Sequence, residues 1–303
     1  MTTERPHFTV PLPGRAPLDL GARTLVMGIL NITPDSFADG GLHFDVDRAV
    51  EAGIRMAADG ADIIDVGGES TRPGAGILPE DEERRRVLPV IERLVRQVTL
   101  PISIDTYKAG VARAAIECGA SIINDVSGLQ YDGALGGVAA ATGAALILMH
   151  TRGRSSEMYD LAVYEDAARE VRAELALAIA RAERAGVSRE AIIVDPGFGF
   201  AKRAEHSYTT LAHLESLAAL GRPILSGPSR KSFLSAALGE RAPAAREWGT
   251  AAAVTASVLY GAHIVRVHGV REMMDVVRVS DRIRAAGRAV NSAGQRQGSA
   301  AES

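Results

Sequence analysis

This chain of 303 residues has almost no cysteine, no long apolar run and no excess of charge of one sign. Its single cysteine, Cys118, excludes an internal disulfide and a zinc site built from cysteines, and it suits a reducing compartment. The 34 basic and 37 acidic residues give no electrostatic argument for a nucleic acid or a membrane surface as partner. No apolar stretch is long enough to span a bilayer, and no signal-peptide core is found near the N-terminus. We therefore expect a cytoplasmic protein.

What the sequence has instead is a series of short apolar runs that each end in a polar residue. The polar residues are Asn31, Asp65, Asp105, Asn124, Asp195 and Arg266. Runs of Val, Ile and Leu of this length are typical of strands buried on both faces of a parallel sheet. Polar groups at the carboxyl ends of such strands lie where parallel α/β folds build their active sites. The repetition predicts one pocket that many strands line together.

The spacing of the apolar runs predicts the fold class. Runs alternate with helical patterns and begin near Thr24, Asp62, Pro101, Ser121, Ala144, Ala191, Pro223 and His263. Eight strand–helix units over about 260 residues match a (β/α)8 barrel, so we predict an α/β protein with a single TIM barrel over residues 24–286. A doubly wound open sheet is the rival fold, because local pattern does not show closure. Residues 1–23 are expected to form a lead-in segment or a hairpin over the barrel floor, and residues 287–303 a disordered tail.

The loop after the first strand carries oxygen atoms suited to a hard cation. The amide of Asn31 and the carboxylate of Asp35 are the kinds of ligand that Mg²⁺ takes, with water and substrate phosphate completing its shell. The same loop is equally typical of an Asx turn that leads into a helix. The spacing leaves both interpretations open.

Three other segments carry groups that bind anions. Consecutive glycines at Gly67–Gly68 let the backbone approach a ligand, and Arg72 follows with its fork of donors. Ser229–Lys231 bring a hydroxyl, a guanidinium and an ammonium to the end of the seventh strand, a usual anion site in barrels. Alternation along the eighth strand places Arg266 and His268 on the same side.

Together these segments resemble the dihydropteroate synthase family, the folate-pathway enzymes that sulfonamides inhibit. The matching segments are Met27–Phe37 (MGILNITPDSF), Asp65–Gly74 (DVGGESTRPG), Ile104–Thr106, Ile123–Asp125, Asp195–Phe200 (DPGFGF), Ser229–Lys231 and Arg266–His268. They follow one another in order, one at each strand end, from about residue 24 to residue 285.

The resemblance implies a transferase that joins 6-hydroxymethyl-7,8-dihydropterin pyrophosphate to para-aminobenzoate, giving 7,8-dihydropteroate and pyrophosphate. It also implies Mg²⁺ as the metal, and a homodimer formed through the late helices, for which the small residues of Ala251–Tyr260 are suited. The mechanism we expect is dissociative: pyrophosphate departs first, and the neutral amine then attacks the pterin methylene cation. No activated protein nucleophile is needed, and the sequence predicts no Ser–His or Cys–His pair.

The family's functional residues are carried over position by position. The pterin residues would be Asp105, Asn124, Asp195 and Lys231, with Arg266 stacked over the ring. The carboxylate of Asp195 suits the adjacent N–H donors of a pterin edge, and a planar guanidinium suits an aromatic face. The pyrophosphate residues would be Asn31, Arg266 and His268, with Asn31 and Asp35 as the Mg²⁺ ligands. The aminobenzoate pocket would be formed by Phe37, Thr71, Arg72, Pro73, Phe200 and Ser229, together with Lys231. Of these residues, Asn31, Asp35, Lys231, Arg266 and His268 are expected to take part in catalysis.

Three alternatives were weighed against this interpretation. A pterin-dependent methyltransferase domain has no use for Thr71–Gly74 together with Ser229–Lys231. A non-catalytic pterin-binding relative should have lost parts of these loops, which are intact here. An unrelated phosphate-binding barrel leaves Asp105, Asn124 and Asp195 without a purpose.

Some positions depart from the family pattern or carry a modest expectation. Gly269 stands where the family usually has Asp, Pro228 where it often has Met, and Ser207 where it often has Asn. None of these replaces an assigned residue, although Gly269 is expected to loosen the loop around His268. His150 is expected to be a satisfied polar residue rather than a metal ligand, and Asp65 to fix neighbouring loops by hydrogen bonds.

Overall fold

A computed structural model describes residues 5–32, 41–70 and 76–299 of the chain, with residues 41–45 and 288–299 described for their backbone only. The chain begins with two short strands, β1 (Phe8–Val10) and β2 (Leu18–Leu20), which pair antiparallel in a hairpin. This hairpin occupies the segment for which the sequence left open a lead-in or a hairpin.

A parallel barrel follows the hairpin. Its strands, among the described residues, are β3 (Leu25–Asn31), β4 (Ile63–Gly67), β5 (Ile102–Asp105), β6 (Ile122–Asp125), β7 (Ala145–Met149), β8 (Ile192–Asp195), β9 (Leu225–Ser226) and β10 (Ile264–Val267). Neighbouring strands pair in the order β8-β7-β6-β5-β4-β3-β10-β9. The ring closes between β8 and β9, where Val194 and Ile224 form a parallel bridge and the Val194 N–H donates to the Pro223 carbonyl at 3.0 Å. The predicted (β/α)8 class is confirmed, and the open doubly wound sheet is excluded.

Helices surround the barrel and connect its strands. Within the described ranges they are α1 (Gly41–Ala58), α2 (Glu80–Leu94), α3 (Ala109–Glu117), α4 (Leu135–Thr142), α5 (Ala167–Arg184), α6 (Ala204–Ala212), α7 (Ser235–Leu238), α8 (Glu247–Leu259) and α9 (Val270–Ser299). Apolar side chains at helical spacing are buried against the barrel, for example Val87, Ile91 and Leu94 on α2. No described helix combines the length and the apolar character that crossing a membrane requires.

The apolar residues form two clusters because alternate residues of a barrel strand point inward and outward. The outer cluster lies between the strands and the helices. The inner cluster fills the barrel and includes Met27, Ile63, Ile193 and Leu225, together with Val10 and Leu20 of the hairpin. The hairpin therefore covers the floor of the barrel, which leaves the carboxyl ends of the strands as the open end.

The tail predicted from Gly287 begins within the last helix, and its disorder stays a prediction. The backbone of α9 continues to Ser299. Starting a helix is its costly step, and the packed turns before Gly287 supply that start, so the helix can extend through residues with no apolar period.

Candidate active site

The polar strand ends lie in neighbouring positions on the barrel rim. Asp105 on β5 pairs in register with Gly67 on β4 and with Asn124 on β6. The side chain of Asn31 ends β3 beside them: a Cβ atom built on Gly67 would lie 3.7 Å from Asn31 Oδ1 and 3.4 Å from Asp105 Cβ. Gly67 therefore leaves room for both side chains at this part of the rim.

Arg266 is the centre of a hydrogen-bond network that joins four strands. Its Nε donates to Asp65 Oδ2 at 2.6 Å, and its Nη2 donates to Asp105 Oδ2 at 2.7 Å. Asn124 Nδ2 donates to the same Asp65 oxygen at 3.0 Å. Asp65 is fully buried, so it fixes the plane of the guanidinium and the orientation of the Asn124 amide at once. Asp65 therefore fixes the side chains of two other strands, whereas the sequence predicts that it fixes neighbouring loops.

Burial shifts the proton affinities of the three remaining charged groups of the site. It raises the pKa of Asp105, against the opposing effect of Arg266, and it raises the pKa of Asp195 to about 6. Burial also lowers the pKa of Lys231 to about 8, and Arg266 lowers it further, whereas Asp195 and Asp105 raise it. Asp195 keeps one hydrogen bond of its own, from Gly197 N to Oδ1 at 2.7 Å. Both carboxylates are thus short of partners for their ionised forms, as expected of a site built to receive N–H donors.

Ser229 and His268 form a pair that the sequence did not predict. Ser229 Oγ lies 2.9 Å from His268 Nδ1, and the His268 backbone N–H donates to the same oxygen at 3.2 Å. The expectation of no Ser–His pair was wrong, because the two residues are far apart in the chain and meet only where β9 and β10 lie side by side. Ser229 is a predicted aminobenzoate residue and His268 a predicted pyrophosphate residue. Two hydrogen bonds at Ser229 Oγ therefore join the two predicted groups of residues.

Arg230 is held in a strained conformation between Ser229 and Lys231. Its φ of +58° lies in the left-handed region that non-glycine residues rarely adopt. Its N–H donates to Thr250 Oγ1 at 3.0 Å, its Nε donates to Glu247 Oε2 at 2.9 Å, and its carbonyl accepts from Arg246 at 2.9 Å. These bonds stabilise the turn that presents Ser229 and Lys231, and strain of this kind clusters at functional sites.

The positions that depart from the family pattern are occupied without disrupting the site. A Cβ on Gly269 would lie 2.5 Å from Glu247 Oε1, so the carboxylate of Glu247 fills the space beside Gly269. Ser207 is buried and its Oγ accepts from Gly199 N at 3.2 Å. The carbonyl of Pro228 accepts from Lys231 N at 3.3 Å.

The predicted aminobenzoate pocket is described only in part. Phe200 lies under Lys231, whose Nζ is 3.8 Å from the ring centroid. Phe200 also lines a cavity of about 350 Å³ that Ser70, Tyr107, Tyr131 and Arg154 border. The predicted residues Asp35, Phe37, Thr71, Arg72 and Pro73 lie outside the described residues. A larger cavity of about 550 Å³ lies at the opposite end of the barrel, around Arg23 and Asp62, and contains none of the predicted site residues.

The fit of a metal to this site rests on oxygen atoms. Within residues 5–32, 41–70 and 76–299, no group of three or more His, Cys, Asp or Glu side chains is arranged to hold an ion. Asn31 Oδ1 is a hard donor at the rim, of the type that Mg²⁺ accepts when substrate oxygens supply most of its shell. Asn31 thus offers an oxygen of the right kind, and Mg²⁺ with Asp35 as its second ligand stays a prediction.

Sequence reasoning missed a second charged network beside the site, in which Lys202 contacts His150 and His150 contacts Glu174. His150 has polar partners on both ring nitrogens, which confirms that it is a satisfied polar residue. The sequence signal that could have identified Lys202 is the rarity of lysine in this chain. The chain has three lysines, Lys108, Lys202 and Lys231, and each one lies just after a barrel strand.

Comparison with known proteins places the chain among pterin-binding proteins. A family model described as pterin binding enzyme matches residues 27–268. The dihydropteroate synthase of Synechocystis sp. is 45% identical over 276 residues, covering 91% of this chain and 96% of that protein. The dihydropteroate synthase of Bacillus subtilis is 44% identical over 259 residues, covering 86% and 88%.

Solved structures agree with the sequence comparisons. The Xanthomonas albilineans dihydropteroate synthase with 4-aminobenzoic acid superposes with a TM-score of 0.84 at 44% identity, covering 91% of this chain and 99% of that one. The enzyme of the same organism in complex with 7,8-dihydropteroate superposes with a TM-score of 0.80 at 40% identity, with the same coverage.

Proposed function

The chain belongs to the dihydropteroate synthase family of pterin-binding enzymes, and we propose that its barrel rim condenses 6-hydroxymethyl-7,8-dihydropterin pyrophosphate with para-aminobenzoate. It is an enzyme of the transferase class, and its product is 7,8-dihydropteroate. The observation that carries the residue assignments is the convergence of Asp105, Asn124 and Arg266 in one network at the strand ends. A pterin-dependent methyltransferase would leave the similarity to dihydropteroate synthases over most of the chain, and the Ser229–Lys231 turn, unexplained.

Pterin recognition follows from which hydrogen-bond groups remain available at the rim. Asn124 donates one amide N–H to Asp65, and its Oδ1 atom can accept a hydrogen bond from a ligand. Asp195 spends Oδ1 on Gly197, and its Oδ2 faces Gly227. These acceptors match the N–H donors along a pterin edge, and Lys231 supplies a donor for the oxygen and nitrogen acceptors of the ring.

Arg266 would stack on the pterin rather than serve as a free cation for phosphate. Asp65 and Asp105 take two of its donor groups and hold its plane in place. A fixed guanidinium plane offers its face to an aromatic ring with little loss of side-chain freedom. Arg266 would therefore stabilise the departing pyrophosphate mainly through its positive charge.

Pyrophosphate departure would be assisted by Asn31, His268 and Asp35. Asn31 offers its amide oxygen at the rim, and His268 is fixed by Ser229 on two atoms. Mg²⁺, held by Asn31 and Asp35 together with the substrate, would neutralise charge that develops on the departing pyrophosphate. The protein groups contribute by having the charge of Arg266 and their hydrogen-bonding groups in place before the bond breaks.

The aminobenzoate would bind between Phe200, Lys231 and Ser229, with Phe37, Thr71, Arg72 and Pro73 completing the pocket. The ammonium of Lys231 over the Phe200 ring places a donor beside an apolar wall. Holding the amine in line with the pterin methylene replaces a bimolecular encounter by a positioned one. The neutral amine then attacks the methylene cation, and Ser229 serves in binding, because its hydroxyl is committed to His268.

We also propose that the protein works in the cytoplasm as a homodimer. The described part of the chain exposes large apolar side chains on its two late helices, Trp248 and Tyr260 around α8 and Val279 and Ile283 on α9. Trp248 is 87% exposed, and clustered exposed apolar groups mark interaction sites. Light scattering at several protein concentrations tests this assembly, and a monomer at all of them would contradict it.

The function is tested by pyrophosphate release from the purified protein with Mg²⁺, the pterin pyrophosphate and para-aminobenzoate, with and without a sulfonamide. We expect release that depends on the aminobenzoate, yields dihydropteroate and is inhibited by the sulfonamide. Pterin binding without release would indicate the non-catalytic relative. Absence of pterin binding would contradict the assignment of the site.

A further inference from the structure

Lys202 is among the largest fully buried side chains of the described chain, with only 1% of its surface exposed. Its Nζ lies 2.7 Å from His150 Nδ1 and 3.1 Å from each of two carbonyl oxygens, those of Gly197 and Phe200. A buried charge is costly unless it is fully hydrogen-bonded. Burial lowers the pKa of Lys202 to about 7, and in the protonated form its three donors meet three acceptors.

The acceptors of Lys202 are set by a chain of groups that runs outward from it. His150 Nε2 lies 3.0 Å from Glu174 Oε2, and Arg152 Nε donates to Glu174 Oε1 at 3.0 Å. Burial lowers the pKa of His150 to about 4, so the ring is neutral at pH 7. Glu174 draws the ring proton to Nε2, which leaves Nδ1 as an acceptor for Lys202.

The loop that Lys202 holds is the one that connects two parts of the site. It begins at Asp195 and ends at Lys202 itself, so the side chain folds back on the loop that precedes it. Gly197 has a φ of +66°, and a Cβ there would lie 2.1 Å from the His150 carbonyl. Ala201 has a φ of +46°, although it is not glycine, and its carbonyl accepts from the Tyr164 hydroxyl at 2.8 Å. The loop therefore has a tight conformation that needs partners to persist.

The geometry points to Lys202 as a positioning residue for the para-aminobenzoate pocket. Its ammonium holds the Gly197 and Phe200 carbonyls together, which places the Phe200 ring beneath Lys231. This inference rests on the proposed function, since it takes Phe200 and Lys231 as parts of the aminobenzoate pocket. Among the described residues, the hydrogen bonds of Lys202 reach no other member of that pocket, so its effect on para-aminobenzoate passes through the loop.

Lysine is the side chain that this role requires. Three acceptors surround a single point, which a compact ammonium satisfies and a planar guanidinium does not. Nearly all cations of this chain are arginines, and the three lysines all follow barrel strands. The same side chain also contributes a positive charge near Asp195, which lowers the pKa of that carboxyl.

The experiment replaces Lys202 with methionine, an apolar side chain of similar length, and compares it with Arg5→Met. Arg5 is 3% exposed and donates to Thr24 Oγ1 at 2.9 Å near the hairpin, at the opposite end of the barrel. Both variants remove a buried cation, so both are expected to lower the melting temperature. Only Lys202→Met is expected to raise the KM for para-aminobenzoate, by about tenfold or more, because a misplaced wall costs binding geometry.

The pterin substrate provides the internal reference. At pH 7, where most of Asp195 is ionised and Lys231 is protonated, the pterin Kd is expected to change by less than about threefold in Lys202→Met, well below a tenfold change, which corresponds to about 1.4 kcal/mol. The inference would be overturned if folded Lys202→Met protein kept the wild-type KM for para-aminobenzoate. It would also be overturned if the binding of both substrates weakened equally. If the wild-type protein itself does not use aminobenzoate, the proposed function fails instead, and the two failures are therefore distinguishable.

A milder variant keeps the inference testable if Lys202→Met does not fold. Tyr164→Phe removes only the hydroxyl that holds the Ala201 carbonyl of the same loop. We expect it to raise the KM for para-aminobenzoate by roughly threefold, the effect of losing one neutral hydrogen bond, with the pterin Kd unchanged. An acceptor KM equal to that of the wild type in this variant would contradict the role of the loop.

Discussion

Replacing Asp65 with a neutral residue should loosen two proposed pterin-binding side chains, Arg266 and Asn124, at once. Its carboxylate is fully buried and holds Arg266 Nε at 2.6 Å and Asn124 Nδ2 at 3.0 Å through one oxygen. Asp65→Asn has the same shape but carries no charge and offers an amide N–H group where a lone pair stood. The variant therefore weakens both anchors without opening a cavity.

The expected magnitude follows from the charges left behind. Removing one partner of a buried ion pair costs about 3–5 kcal/mol when the other charge is left without compensation. Here Asp105 still accepts from Arg266 at 2.7 Å, so the charge stays paired. We expect a loss of about 2–3 kcal/mol in the free energy of unfolding, the range of one hydrogen bond to a charged group. Pterin affinity should fall by at least about tenfold, because the Arg266 plane and the Asn124 amide both lose their anchor.

Asp62→Asn is the matched control for this prediction. Asp62 also pairs with an arginine, Arg23, whose side chain is 56% exposed at the floor of the barrel. Because exposed pairs contribute little, the control should lose less than about 1 kcal/mol of stability and no pterin affinity. Urea unfolding and a fluorescence titration with pterin measure the two quantities. Asp65→Asn protein that binds pterin within twofold of wild type would refute the reasoning.

Four further predictions concern the site and its surroundings. Lys231→Ala and Asp195→Ala should each lower turnover by at least about tenfold, a loss of roughly 1.4 kcal/mol at the transition state, and wild-type rates in steady-state assays would remove them from the pterin site. Arg72→Ala should chiefly raise the KM for aminobenzoate, and an unchanged KM would remove Arg72 from that pocket. Because burial raises the pKa of Asp195 to about 6, its carboxylate is lost as pH falls below that value, so pterin affinity measured by titration should decline below pH 6. Burial lowers the pKa of His263 to about 3, and the unfolded chain binds the proton first, so stability should fall by up to about 1.4 kcal/mol per pH unit below pH 6.5. His263→Gln, measured by thermal unfolding at pH 7 and pH 5, should reduce that pH dependence.

The fold was predictable because its signal is local. Strands buried on both faces appear as apolar runs, and the starts predicted near Thr24, Asp62 and Pro101 lie one residue before the observed starts of β3, β4 and β5. Closure of the barrel was not visible in any such run. It depends on the meeting of Val194 in β8 with Ile224, the residue before β9, and neither residue carries a mark of the other in the sequence.

The site was predictable where chemistry sits at the end of a strand and hidden where it depends on burial. Asp105, Asn124 and Arg266 follow apolar runs, so their convergence could be expected from the parallel sheet. Lys202 follows a glycine-rich loop and has the sequence context of a solvent-exposed lysine. Its main partner, His150, lies 52 residues earlier, and only the packed structure brings the two together.

Gly269 shows why a single-position departure from a family pattern is weak evidence of a lost interaction. The sequence alone suggested that replacing an aspartate by glycine loosens the loop around His268. In the structure the carboxylate of Glu247 fills that space, within 2.5 Å of where a Cβ on Gly269 would lie. Glu247 is held there by Arg230, whose left-handed turn presents Ser229, and Ser229 in turn binds His268 on two atoms. Ser229 therefore holds His268 through two atoms with glycine at position 269, and the proposed role of His268 in holding pyrophosphate needs no acid at that position.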